Sequence, residues 1–133
     1  MRTKAEGIKK VPKGWGYELW IANGPLYCGK LLHLEKGKKT SIHYHLIKTE
    51  TMFLQSGKVR LHLLNAFGPN SHTDRDLSFL KDQGGYTVDL DPGDSFHITR
   101  GQVHRIEGLE ESDLFEFSTE HFDFDSIRVE KGD

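Results

Sequence analysis

Residues 37–57 read GKKTSIHYHLIKTETMFLQSG and hold five polar or glycine positions at fixed offsets. These positions are Gly37, His43, His45, Glu50 and Gly57. The one-residue spacing of the histidines places both imidazoles on the same face of a strand. Glu50 lies beyond a short turn, so we expect its strand to run antiparallel beside the first. Its carboxylate would then face the two imidazoles.

A second stretch, residues 93–104, reads GDSFHITRGQVH and supplies a third histidine. His104 follows a turn at Gly101, so it would come from a different hairpin. Three imidazoles and one carboxylate suit a divalent first-row metal such as Mn, Fe, Zn, Ni or Co. We therefore predict one metal ion held by His43, His45, Glu50 and His104. Four protein ligands leave one or two positions open for a substrate on a metal that accepts five or six.

The rest of the chain predicts short strands separated by glycine, proline and aspartate turns. We expect strands over 17–22, 26–34, 41–45, 51–55, 59–64, 86–90, 95–99, 103–107 and 114–119. In 59–64, apolar and polar residues alternate with the period of a half-buried strand, and we expect this strand to return from 51–55 as a tight hairpin at Gly57. No segment predicts a helix of about 12 residues. The pattern indicates an all-β jelly roll or barrel with little helix.

Residues 65–85 interrupt this rhythm. Asparagine, glycine, proline and serine dominate the first half, which is typical of a loop. Residues 76–81 predict a short helical turn. A loop of this length is usually functional or mobile, and the sequence leaves open whether it closes over the metal site.

The composition limits the classes of partner. A chain of 133 residues predicts one domain over 1–133, with a core at about 15–119 and a polar tail at 120–133. Its 18 basic and 20 acidic residues nearly cancel, so we expect neither a nucleic-acid nor a membrane partner. The N-terminus lacks the apolar core of a signal peptide. One cysteine, Cys28, excludes an internal disulfide framework and favours a reducing, cytoplasmic setting.

The two motifs together resemble those of the cupins. The first cupin motif is matched at every defining position, and the second is matched at Gly93, Gly101 and His104. Thr99 stands where cupins usually carry a proline, and Gly108 where they usually carry an asparagine; neither position is a ligand. The resemblance implies a double-stranded β-helix with the metal inside one end of the barrel. It also implies a homodimer, since cupins are commonly dimeric.

The ends of the chain are similar to the cupin domain of type II phosphomannose isomerases. The likeness rests on residues 13–18 (KGWGYE), on Lys30, and on a tail over 123–128 (DFDSIR) that includes Arg128. The Tyr-Gly-Arg ending of those enzymes is absent, and so is the nucleotidyltransferase domain often fused to them. The resemblance implies a small-molecule substrate, a sugar or sugar phosphate. Lys30, Arg105 and Arg128 are the cations predicted to bind it.

Three functions suit such a site. The leading hypothesis is a metal-dependent aldose–ketose isomerase, in which a general base moves a proton between neighbouring carbons. Glu50 is occupied as a ligand, so the base would be Glu116, Tyr44 or His97. An Fe(II) dioxygenase is the second hypothesis, and an apolar pocket without cations would favour it. The third is a sugar-binding or sensor protein without catalytic activity.

Overall fold

The computed structural model describes residues 1–68 and 77–133, and this part of the chain is built almost entirely from strands. The strands are β1 (Lys9–Lys13), β2 (Gly16–Asn23), β3 (Cys28–Leu34), β4 (Ile42–Tyr44), β5 (Glu50–Ser56), β6 (Val59–Phe67), β7 (Gly85–Leu90), β8 (Ser95–Ile98), β9 (Gln102–Gly108), β10 (Ser112–Ser118) and β11 (Ile127–Glu130). Three short 3-10 helices span Ala5–Gly7, Ser78–Asp82 and Asp123–Asp125. The all-β prediction is confirmed.

The strands form two antiparallel sheets. One sheet has six strands in the order β1-β2-β3-β10-β5-β8, and the other has five in the order β11-β4-β9-β6-β7. Alternate side chains of both sheets point inward and pack into one apolar cluster, which includes Leu54 and Leu114 from the first sheet and Leu61 and Ile106 from the second. This arrangement is the expected jelly roll.

Several short turns connect the two sheets where hairpins were expected. β4 and β5 do not pair, and neither do β5 and β6, because each pair is divided between the sheets. The hairpin at Gly57 and the pairing of the Glu50 strand beside β4 are therefore wrong predictions. Gly57 has a φ of 88°, and a Cβ there would collide with Glu111 and Ser112. A turn sequence reports only local backbone geometry, which is the same whether the next strand pairs or crosses over.

Both ends of the chain join the sheets. β1 pairs with β2, and β11 pairs with β4, where Arg128 lies opposite His43. Residues expected as a polar tail thus include an edge strand of the five-stranded sheet. Arg105 fixes this strand, since its guanidinium donates to the carbonyl oxygens of Thr40 and Lys131 and lies 3.3 Å from Glu130.

The segment 65–85 behaves partly as expected. β6 continues to Phe67, and the helix Ser78–Asp82 agrees with the predicted helical turn. Leu77 and Leu80 pack with Tyr44 and Val103 in a second apolar cluster. None of the described residues of 65–85 lines the central cavity. His72 and the start of the predicted turn lie outside the described residues. Along the described chain, no helix combines the length and apolarity of a membrane-spanning segment.

Candidate metal centre

The four predicted ligands converge between the two sheets. His43 lies on β4 directly opposite His104 of β9, and His45 follows two residues later on the same face. Glu50 begins β5 and faces the histidines from the opposite sheet. The four predicted ligands therefore lie close together, although the Glu50 carboxylate comes from the opposite sheet and not from a strand next to β4.

The distances within this cluster fit a metal-ligand set. The imidazole rings of His43 and His104 are 4.4 Å apart between centroids, and those of His43 and His45 are 5.1 Å apart. One potential ligand atom from each histidine lies within 4.8 Å of the others. Glu50 Oε1 lies 3.2 Å from His104 Nε2 and 3.5 Å from His45 Nε2. These three histidines can hold a metal ion, with the Glu50 carboxylate beside them.

Each histidine is oriented by a hydrogen bond on its other nitrogen. Each Nδ1 donates to a backbone carbonyl oxygen: that of His43 to Ser41, that of His45 to Asp125, and that of His104 to Gln102. These bonds fix the proton on Nδ1 and leave the Nε2 lone pair available, as in most metal-binding histidines. His104 Nε2 and both Glu50 oxygens are buried without a well-formed hydrogen bond. A cation would satisfy these buried acceptors, which are otherwise costly.

The electrostatics favour the ligand forms of these groups. Burial and the neighbouring histidines hold the pKa of His43 well below its ordinary value, so the ring is neutral. Burial opposes ionisation of Glu50, but the facing imidazoles and the Lys48 ammonium outweigh it and hold its pKa well below the ordinary value. A neutral imidazole and an ionised carboxylate are the forms that bind a divalent metal.

A buried ion pair lies beside the metal centre. Lys48 Nζ donates to Glu116 Oε2 at 3.0 Å and lies 3.4 Å from Glu50 Oε2. Burial and the charge of Glu50 raise the pKa of Glu116, while Lys48 opposes this rise. Burial alone would lower the pKa of Lys48, but the two carboxylates raise it above its ordinary value. The pair therefore places a carboxylate and an ammonium next to the histidine cluster.

The metal centre and the ion pair line one cavity of about 880 Å³. Lys30 also lines this cavity and is only 2% exposed. Its Nζ lies 3.7 Å from Glu18 and 4.3 Å above the Trp20 ring. Burial lowers the pKa of Lys30 against the opposing effect of Glu116 and Glu18. Arg128 lines the same cavity and is exposed, which places it at the mouth.

Three predicted site residues lie away from this cavity. Tyr44 points to the other face of β4 and is buried in the second apolar cluster. His97 is exposed on the outside of the barrel, where its Nδ1 meets the Thr51 hydroxyl. Arg105 follows His104 on β9, so its side chain points to the opposite face of the strand. There it donates to the Lys131 carbonyl oxygen and holds the C-terminal strand β11 in place. Their sequence positions suggested a site, but strand alternation directs their side chains elsewhere.

Sequence reasoning left three residues that shape the site out of the predicted set: Lys48, His121 and Asp125. The Asp125 carboxylate is buried and accepts the backbone N–H groups of Leu46, Ile47 and Lys48. It thereby holds the turn between the two halves of the first motif. No sequence signal separates Lys48 from the other lysines. Asp125 was noted only within the tail resemblance, without a role.

A known family shares this chain's sequence pattern. The family model described as D-lyxose isomerase matches residues 17–123, which include the predicted metal ligands, Lys48 and Glu116. This chain belongs to the D-lyxose isomerase family. The match covers most of the molecule and leaves out β11 with Arg128. The finer likeness to phosphomannose isomerases remains a prediction.

Solved cupin structures share the fold of this D-lyxose isomerase family member at low sequence identity. Lactobacillus farciminis oxalate decarboxylase in its formate complex is 16% identical with a TM-score of 0.71, covering 93% of this chain and 34% of that one. KdgF from a Halomonas species is 14% identical with a TM-score of 0.67, covering 91% of this chain and 95% of that one. Bacillus subtilis oxalate decarboxylase, described with Mn(II) centres, is 15% identical with a TM-score of 0.70, covering 93% and 31%.

These likenesses show the cupin fold and nothing finer. The chain spans about a third of the length of each decarboxylase. No curated protein matches it at a significant level.

Proposed function

We propose that this protein is a metal-dependent aldose–ketose isomerase acting on an open-chain sugar. The observation that carries the proposal is the buried Glu116 carboxylate, paired with Lys48 and lining the same cavity as the histidine cluster. A divalent metal held by His43, His45, Glu50 and His104 would polarise nearby substrate oxygens and make the adjacent C–H more acidic. Membership of the D-lyxose isomerase family supports the reaction class.

Glu116 is the proposed general base. It takes the proton from the carbon next to the carbonyl and returns it to the former carbonyl carbon, while the hydroxyl proton passes from O2 to O1, so no proton is gained or lost overall. Burial raises the pKa of its carboxyl, which strengthens it as a base. Lys48 holds the carboxylate in one orientation. Glu50 belongs to the metal site and stays outside the transfer.

Two cations that line the cavity have proposed roles in substrate binding. Lys30 presents a buried ammonium to the cavity and is placed to donate to a sugar hydroxyl. Arg128 at the mouth is the cation that would meet a distal hydroxyl or a phosphate. A cavity lined by ammonium and carboxylate groups supports an isomerase over an Fe(II) dioxygenase, for which an apolar lining was expected.

The test uses protein loaded in turn with Mn, Fe, Co, Ni and Zn, and offers D-lyxose, D-mannose and mannose 6-phosphate. We expect ketose formation with at least one sugar. Glu116→Gln should keep its metal and lose about 10²–10⁴-fold in kcat. His43→Ala should lose both metal and turnover. Unchanged turnover in a His43→Ala protein shown to lack metal would sink the mechanism, and full activity of Glu116→Gln would remove Glu116 as the base.

We also propose that the protein is a homodimer joined through the outer face of the six-stranded sheet. Leu19, Leu31, Phe115 and Phe53 lie side by side across four neighbouring strands of this face. Phe117 stacks beside Phe115 and is 52% exposed.

The shape of this face suits a second copy of the same chain. Next to Phe117 in the sheet lies Gly29, where an added Cβ would meet nothing within 4 Å. A projecting ring beside a hollow is self-complementary under two-fold symmetry, and sheets readily pack face to face.

A further inference from the structure

We propose that His121 is a positioning residue that fixes the Lys48 ammonium against Glu116 in the active-site cavity. This inference rests on the proposed isomerase function. It concerns a histidine in the segment after β10, to which sequence reasoning gave no role.

The Lys48 ammonium meets three acceptors from three parts of the chain. Glu116 Oε2 lies 3.0 Å from Nζ, Glu50 Oε2 lies 3.4 Å away, and His121 Nδ1 lies 3.3 Å away. The contacts to Glu116 and His121 are hydrogen bonds, whereas Glu50 attracts the ammonium as an ion pair without accepting a hydrogen bond. Without the His121 acceptor, the ammonium would keep one hydrogen bond, and the side chain could rotate about it away from its position against Glu116.

His121 is in the form that accepts this hydrogen bond. Its Nε2 lies 3.0 Å from Asp123 Oδ1, which can only accept when ionised. The proton is therefore on Nε2, and Nδ1 presents its lone pair to Lys48. Burial, with the charge of Lys30, lowers the pKa of His121 to about 4, so the ring is neutral near pH 7.

The imidazole is itself held in place. The backbone N–H of His121 donates to Asn23 Oδ1, and the backbone carbonyl oxygen of His121 accepts from Asn23 Nδ2. The Trp20 indole packs edge-on against the ring at 5.0 Å between centroids. Asp123 is 88% exposed, so its carboxylate orients the ring from the solvent side. These contacts hold His121 rigidly and leave neither ring nitrogen free for substrate.

The experiment compares kcat and KM in the metal-loaded wild type and two variants, for whichever of D-lyxose, D-mannose and mannose 6-phosphate the wild type isomerises fastest. His121→Phe keeps a ring against Trp20 but removes the acceptor. We expect kcat to fall about ten- to hundredfold with KM changed by less than about threefold, because the acid–base pair is misplaced while binding is kept. His121→Asn restores an acceptor near the position of Nδ1 and should return kcat to within about threefold of wild type. His62→Phe, on the outer face of β6, is the matched control.

Metal content and Tm show whether each variant is folded and loaded. A wild-type kcat in His121→Phe, or equal loss in both variants, overturns the positioning role and leaves the isomerase proposal standing. No turnover of D-lyxose, D-mannose or mannose 6-phosphate by the wild type overturns the isomerase proposal instead. The contact is then tested by long-range ¹H–¹⁵N NMR of the imidazoles. A proton on Nε2 of His121, opposite to the three metal-site histidines, supports the contact, and a proton on Nδ1 refutes it.

Discussion

Replacing Asp125 with asparagine should destabilise the fold and weaken metal binding together. The carboxylate is 1% exposed and accepts three backbone N–H groups at 2.8–3.0 Å, from Leu46, Ile47 and Lys48. Either orientation of an asparagine amide turns an NH₂ group toward at least one of these donors. One hydrogen bond to a charged group is lost and one buried N–H is left without a partner.

The cost of this change is about 2–4 kcal/mol, from the loss of the charged hydrogen bond and the unsatisfied donor. For a chain of 133 residues, 1 kcal/mol corresponds to about 3–4 °C in Tm. We therefore expect Tm to fall by about 7–15 °C. Because the Asp125 carbonyl also accepts from His45 Nδ1, a displaced segment should weaken metal affinity by about 10–100-fold.

Scanning calorimetry of the metal-free protein measures the first effect, and competition with a chromophoric chelator measures the second. Asp82→Asn, at an exposed aspartate, is the matched control and should leave both unchanged. A Tm for Asp125→Asn within about 1 °C of wild type would show that the carboxylate does not hold the 46–48 turn. A normal metal affinity despite a lower Tm would refute the orienting role at His45.

Three further predictions concern pH, metal and assembly. Hydrogen bonds to Asp113 and Glu111 raise the pKa of His33 despite partial burial, so protonated His33 stabilises the fold below about pH 6.5, and this stabilisation is lost as pH rises through the folded-state pKa. The difference in Tm between wild type and His33→Gln should therefore be larger at pH 5.5 than at pH 8.5. An equal difference at the two pH values would contradict this. Removing the metal from protein saturated at 100 Kd should lower Tm by about 10 °C, and an unchanged Tm would mean that the cluster holds no metal. Phe117→Glu should convert the dimer to a monomer in sedimentation experiments, while Phe79→Glu, at a similarly exposed aromatic residue, should leave the dimer intact. A monomeric wild type, or equal dissociation of the two variants, would refute the proposed interface.

Much of the site was readable from sequence because its chemistry is local. The spacing of His43, His45 and Glu50 lies within one strand, one turn and the start of the next strand. The glycines that mark the turns at 37, 57, 93 and 101 have positive φ, which favours glycine. The strand periodicity likewise predicted the all-β fold, since alternation follows from the pleat of each strand alone.

The acid–base neighbours of the metal centre could not be predicted in the same way. Lys48 meets Glu116 across 68 positions and His121 across 73, and Asp125 reaches Lys48 across 77. From the sequence alone, Lys48 and Arg105 are equally good candidates for a substrate contact. The turn held by Asp125 places Lys48 in the cavity, whereas strand alternation on β9 directs Arg105 toward β11.

The sequence by itself determined the candidate metal-ligand set and the strand-rich fold, because both depend mainly on spacings of a few residues. The tertiary structure decided which sheet each strand joins, which face each side chain occupies, and which distant groups surround the metal ligands. Those choices depend on packing between segments far apart in the chain, where short turns that look alike can either form a hairpin or cross the barrel. The same long-range packing brought His121 and Asp125 into the site, whereas strand alternation turned Tyr44 and His97 away from it.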